Sequence, residues 1–271
     1  MVRSLYTAAT GMRAQQANVD NISNNLSNVN TVGYKMQKTE FKSLLYQTIQ
    51  TRTTSANGAE KPISAQVGLG TRIASNTSIF TQGNLMATES TSDFSINGNG
   101  FFSIRGADGQ TYYTRNGSFN WSNGVNGLTL TNSDGCAVLD TAGNPIEMPV
   151  GVTSGNAIVT EDGQIGYTTT GGDFIPLNQR MGVYQFNNPG GLEKQAGTVF
   201  AVSEASGPAL NEATVGGLIP SKIVQGYLEG SNVQVADEMV NLIVAQRAYQ
   251  LNSKAITTSD EMLEQANNLR R

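Results

Sequence analysis

The chain has 271 residues and a net charge of −4, and charged residues make up 14% of it, against roughly 25% in an average soluble domain. Histidine is absent and cysteine occurs once, which excludes an internal disulfide, zinc sites of the usual kinds, and Ser-His or Cys-His nucleophile pairs. The acidic balance gives no footprint for nucleic acid, and the Asn, Thr, Ser, Gln and Gly that replace charges suit packing against copies of the same chain.

The first predicted element is a helix within residues 1–35. Leu5, Met12, Val19 and Leu26 recur by sevens, with Ala8, Gln15, Ile22 and Val29 three residues further on. Ser4 is placed to cap this helix and Gly33 to end it. Asn18, Asn21, Asn25 and Asn28 step by three or four and form an amide stripe beside the apolar seam. Each Asn costs roughly half a kcal/mol against Ala in a helix. The stripe is therefore either a frayed helix end or an amide ladder that bonds neighbouring copies or lines a wet channel. The opening residues lack the apolar run of roughly 7–15 residues of a secretory signal. Nowhere do about 18 apolar residues follow one another, so no membrane-spanning helix is expected.

Residues 36–75 read as a connector. Phe41, Leu44, Leu45, Tyr46 and Ile49 are apolar with mixed spacing, and 51–62 are polar with turn residues at the end. This predicts a helix-to-strand transition and then an extended hairpin or loop. Residues 76–220 are β-rich in pattern. Strands are expected at 94–96, 101–105, 111–115, 118–121, 128–131, 137–139, 158–160, 164–167, 174–177, 181–186 and 199–202. Turn signals separate most of them, among them Asn116-Gly117, Asn123-Gly124, Asp134-Gly135 and Asp162-Gly163. Their spacing suggests a sandwich or Greek-key-like domain. Cys136 reads as a small residue flanking a turn.

Residues 221–271 hold a second long helix. Gly230-Ser231-Asn232 supplies a turn and a candidate N-cap. Val235, Leu242, Tyr249, Ile256 and Leu263 recur by sevens, and the positions three further on are Glu238, Ala245, Asn252, Ser259 and Ala266, mostly small. From Met239 to Ala245, with Ile243 among them, the helix is apolar nearly all round, so it must be enclosed on more than one side. The fold expected is α+β. The terminal helices pair as a coiled coil, and the all-β domain is inserted between them.

Catalysis is not expected. Glu161-Asp162, Asp237-Glu238 and Asp260-Glu261 are sequence neighbours, whose side chains diverge on a helix or strand, while acid–base work needs convergent carboxylates. The two helical pairs read as solvated positions. Gly98-Asn99-Gly100 leads into a strand and lacks the following Lys-Ser/Thr, so it fails as a phosphate loop. Catalytic, cofactor-binding and metal-binding residues are all expected to be none.

Residues 24–35, Asn-Asn-Leu-Ser-Asn-Val-Asn-Thr-Val-Gly-Tyr-Lys, resemble the N-terminal signature of the bacterial flagellar rod and hook family. The C-terminal signature is similar to residues 226–233, then Glu238-Met239-Val240, then 246–256. Residues 98–104 and 112–119 resemble the β-domain motif of that family, and the pattern drifts around 120–160. Leu44 to Ile49, the polar stretch and Val67 to Arg72 resemble the segment that distinguishes distal rod members from hook members, held in the family to fill space between subunits and stiffen the rod.

The resemblance implies a structural subunit of the distal rod that polymerises into a hollow shaft transmitting torque. It also implies export through the flagellar channel without a cleaved signal to the extracytoplasmic basal body. Implied partners are copies of the chain, other rod proteins and hook protein, cell-envelope ring proteins and the export apparatus. The subunit interface is expected at Leu5, Met12, Val19, Ile22, Leu26, Val235, Met239, Leu242, Ile243, Tyr249, Ile256 and Leu263. Alternatives are a proximal rod or hook member, a secreted β-rich adhesin, and a β-fold carbohydrate enzyme.

Overall fold

The computed structural model describes residues 2–50, 65–124, 127–169 and 173–268. The polar stretch 51–62 of the connector lies outside them. The chain forms two compact units: Met1–Ser27, Gln37–Thr77 and Gln234–Arg271 make the first, and Asn28–Met36 with Ser78–Val233 make the second.

The first unit holds α1 (Val2–Ser27) and α2 (Val235–Asn268), which pack side by side. Asp237 and Glu238 fall in the first turn of α2, where acidic groups offset the positive end of the helix dipole. Asn232 is not its cap, because α2 starts at Val235, three residues later. The amide of Asn232 works in the second unit instead, where Oδ1 accepts from Met36 N and Nδ2 donates to Ile79 O. Along α1 runs a strand ribbon. β1 (Gln37–Ser43) pairs with β4 (Thr71–Ser78), and β2 (Tyr46–Gln50) pairs antiparallel with β3 (Ala65–Gly68). Leu45, Tyr46 and Ile49 on this ribbon are exposed. A two-stranded ribbon is marginal in water on its own, so this one needs cover.

The second unit is antiparallel in its paired strands. Its main sheet has ten strands among the described residues, with Phe101–Arg105 central between Thr111–Thr114 and Ala137–Val138, and with Val183–Gln185 also pairing against it. Ala157–Val159, Gln164–Thr168 and Phe174–Arg180 form a separate three-stranded meander. Phe94–Asn97 pairs with Lys222–Gln225, and Leu85–Ala87 pairs with Tyr227–Glu229. Alternation puts Phe102 and Ile104 into one core cluster and Phe101 into another. The first cluster gathers Phe94, Phe119, Leu130, Ile146 and Ile165, while the second packs Phe101, Tyr113, Phe186 and Phe200 edge to face.

Gly33 lies in this unit, six residues after the last residue of α1, at φ +68°. A Cβ there would come within 2.5 Å of Asn116 N, so only glycine fits.

Candidate assembly surface

Three contacts fix how α1 and α2 meet. Ser4 Oγ lies 3.3 Å from Ser259 Oγ, a Cβ on Gly11 would lie 2.8 Å from Asn252 Nδ2, and Asn25 Nδ2 donates to Glu238 Oε2 at 3.0 Å. The residue numbers rise on one helix as they fall on the other, so the helices run antiparallel. Each step along either helix is seven residues or a multiple of seven.

The deepest column of α2 is the small one. Glu238, Ala245 and Ser259 are buried, whereas Leu242, Ile256 and Leu263 are half-buried and Val235 and Tyr249 are exposed. On α1, Ala8, Ala14, Asn21, Ile22 and Asn25 are buried, and Leu5, Met12, Val19 and Leu26 are half-buried. Small side chains at the crossing line let two helix backbones approach closely, and the larger apolar groups then flank the line. Glu238, expected on the solvated face, is only 5% exposed, because it lies on this column. Its carboxylate accepts from Asn25 and from Asn241 Nδ2 at 3.3 Å.

Two asparagines of the stripe use their amides inside the unit. Asn25 Oδ1 accepts from Gln37 N at 3.0 Å while its Nδ2 donates to Gln37 O at 2.8 Å, so one side chain mimics a strand partner for β1. Asn21 Nδ2 donates to Gln37 O, Thr39 Oγ1 and Asn76 Oδ1. These bonds dock the ribbon on α1. Asn18 is half-buried, and Asn28 Oδ1 accepts from Thr31 Oγ1.

The other side of α2 is open. Met239 and Ile243 of the expected interface are exposed, as are Val240, Val244 (61%) and Leu251 (69%). Gln16, Val19, Gln246, Tyr249 and Gln250 line a groove along the helix pair.

In the second unit the two signature stretches meet. Gly33 N donates to Glu229 O at 2.8 Å, and Lys35 Nζ lies 2.6 Å from Glu229 Oε1. Arg115 Nη1 reaches Glu229 Oε2 at 3.3 Å, and its guanidinium stacks 4.9 Å from the Phe101 ring centroid. All three ionic groups are buried. Burial pulls the Lys35 ammonium below its ordinary pKa, and the Glu229 carboxylate opposes that shift.

Three family models match the chain: the flagella basal body rod protein over 5–35, the flagellar hook protein FlgE/F/G D1 domain over 95–171, and the flagellar basal body rod FlgEFG protein C-terminal over 224–269. The flagellar basal-body rod protein FlgG of Borreliella burgdorferi is 42% identical over 273 residues, covering 100% of both chains. That of Buchnera aphidicola is 40% identical over 272 residues, covering 99% of this chain and 100% of the relative. The Bacillus subtilis FlgG is 37% identical, covering 100% of both. The chain belongs to the flagellar basal-body rod protein FlgG family.

It is therefore a structural protein of the flagellar rod, and the adhesin and carbohydrate-enzyme alternatives fall away. Among the described residues, no group of three or more Cys, Asp or Glu is placed to hold a metal ion. Arg115 falls within 112–119, the stretch that resembled the β-domain motif, but its ionic role was not foreseen. Its signal was faint: an arginine directly before the Asn116-Gly117 turn, in a β-rich stretch.

Proposed function

We propose that this rod-family chain polymerises with copies of itself into the distal rod, a hollow helical shaft that transmits torque for motility. The observation that supports it is the uncovered apolar face of α2, carried by Met239, Val240, Ile243, Val244 and Leu251. Single exposed apolar residues are normal on any protein, but a cluster such as Met239, Val240, Ile243 and Val244 on one helix face, with Leu251 beyond Arg247, marks an interaction site. In this reading α1 and α2 pair as a coiled coil, consistent with the seven-residue period of their seam, and the outer face of α2 packs on the next copy.

The magnitudes favour a polymer over a pair. Covering a half-exposed Val, Ile, Leu or Met gains on the order of 1 kcal/mol, so five of them gain about 5 kcal/mol. Association costs about 4–15 kcal/mol in lost freedom. One such contact lies near balance, while a copy flanked on several sides gains repeatedly. Further partners in this reading are other rod proteins, hook protein and envelope ring proteins. The chain would reach them through the flagellar export apparatus.

The test is Val244→Asp with Leu251→Asp. Both side chains point outward, so the monomer keeps its circular dichroism spectrum while sedimentation and electron microscopy show no filaments. Wild-type filaments from this double variant would overturn the assignment of the face.

A further inference from the structure

The segment that enters the second unit after α1 is residues 28–36, and it contains no regular strand. The segment that leaves toward α2 ends at residue 233. These two segments are fastened to each other. Gly33 N donates to Glu229 O, Lys35 Nζ pairs with Glu229 Oε1, and Met36 N donates to Asn232 Oδ1 at 2.7 Å. Lys35 Nζ also donates to Thr81 O at 2.8 Å. Arg115 anchors the same carboxylate to the sheet, with its Nη2 donating to Gly98 O at 2.8 Å.

A pull on the two chain ends is carried by α1 to residue 28 and by α2 to residue 233. Near these two points it meets the bonds of Asn232 to Met36, Ile79 and Thr81, and then those of Glu229 to Gly33 and Lys35. A buried ionic trio is a poor means of resting stability, since packed apolar groups of equal volume serve as well or better. What it supplies is direction. Charge-assisted bonds of 2.6 and 3.3 Å hold only in one geometry, and here they join three separate segments of chain.

We propose that Lys35, Glu229 and Arg115 form a tension clasp that closes the second unit against forces arriving through the terminal helices. The need for such a clasp rests on the drive-shaft reading above. The bonds that make it are properties of the single molecule.

The experiment is constant-force pulling of the full chain through terminal handles, with thermal melting measured in parallel. Glu229→Gln keeps the shape and removes the charge, and Lys35→Met removes one cation while keeping the stem. Leu130→Ala, in the core cluster and outside these bonds, serves as the reference. The lifetime of the second unit under force is expected to shorten on the order of a hundredfold in Glu229→Gln and Lys35→Met. In Leu130→Ala it shortens far less for an equal drop in Tm. If lifetime tracks Tm alike in all three variants, the clasp is refuted. Should Glu229→Gln fail to fold, Lys35→Met still decides. Filament formation is not read, so this outcome is separable from that of the α2 face.

Discussion

The Asn25 amide and the Glu238 carboxylate meet at 3.0 Å in the seam between the terminal helices, and neither side chain is open to solvent. Asn25 also holds both backbone groups of Gln37, so one residue ties α1 to α2 and to the ribbon. Asn25→Asp removes the donor and sets a second carboxylate against the first. The helical unit is expected to lose about 3–5 kcal/mol, the cost of leaving a buried charge without its partner. Denaturant unfolding followed by far-UV circular dichroism measures it. An unchanged midpoint would show that the seam does not depend on this pair.

Gly11 owes its place to Asn252. An alanine there gains about 1 kcal/mol of helix propensity, yet its Cβ would press on the Asn252 amide. Gly11→Leu cannot be absorbed by moving one side chain. It is expected to separate the helices and cost about 1–3 kcal/mol. The helical unit should then melt earlier while the β-rich unit keeps its own transition, which calorimetry resolves.

Leu242 contrasts with Val244. Leu242 is half-buried beside the seam, so Leu242→Asp is expected to weaken the helix pair as well as stop polymerisation. Val244→Asp is expected to stop polymerisation alone. Comparing the helical signal of the two monomers separates seam from outer face.

Gly33→Ala is expected to destabilise the β-rich unit by more than the roughly 1 kcal/mol typical of alanine at a left-handed position. The added Cβ also collides with the Asn116 backbone. Thermal melting of that unit reads the loss.

Tyr113 gives a pH dependence. Burial among aromatic rings pushes its hydroxyl up from 10.0 to about 12. An acid whose pKa is raised by folding binds its proton longer in the native state than in the unfolded one. Its contribution to stability is full below pH 10.0 and is lost as pH rises toward about 12. Unfolding midpoints over that range should fall in the wild type and fall less in Tyr113→Phe.

Much of this was legible in the residues, and the exceptions have physical causes. The sevens at 238, 245, 252 and 259 were visible, because a helix seam repeats in sequence. Which column lies deeper was not visible. Hydrophobicity ranks Leu242 above Ala245, whereas close backbone approach reverses the order. The strands at 101–105 and 128–131 fell where alternation and Gly turns placed them. Asn21 and Asn25 could be read as a frayed helix end or as a face for neighbours or a wet channel, since periodicity cannot say whether a ribbon from the same chain will cover them. Asn232 looked like a cap because its type suits one, yet tertiary bonds to Met36 and Ile79 claim it. Lys35 and Glu229 are separated by 194 positions, so no local pattern could join them.

A seam that recurs every seven residues fits itself again after a slip of one repeat. Seven residues of helix rise about 10.5 Å. After such a slip Asn25 would face Ala245, whose side chain cannot accept its proton, and Glu238 would keep only the donor on its own helix, Asn241. The single keyed notch between Asn25 and Glu238 therefore acts as a gauge. In the stacked shaft proposed above, it would set every copy to the same reach, so that errors of about a nanometre would not accumulate at each step.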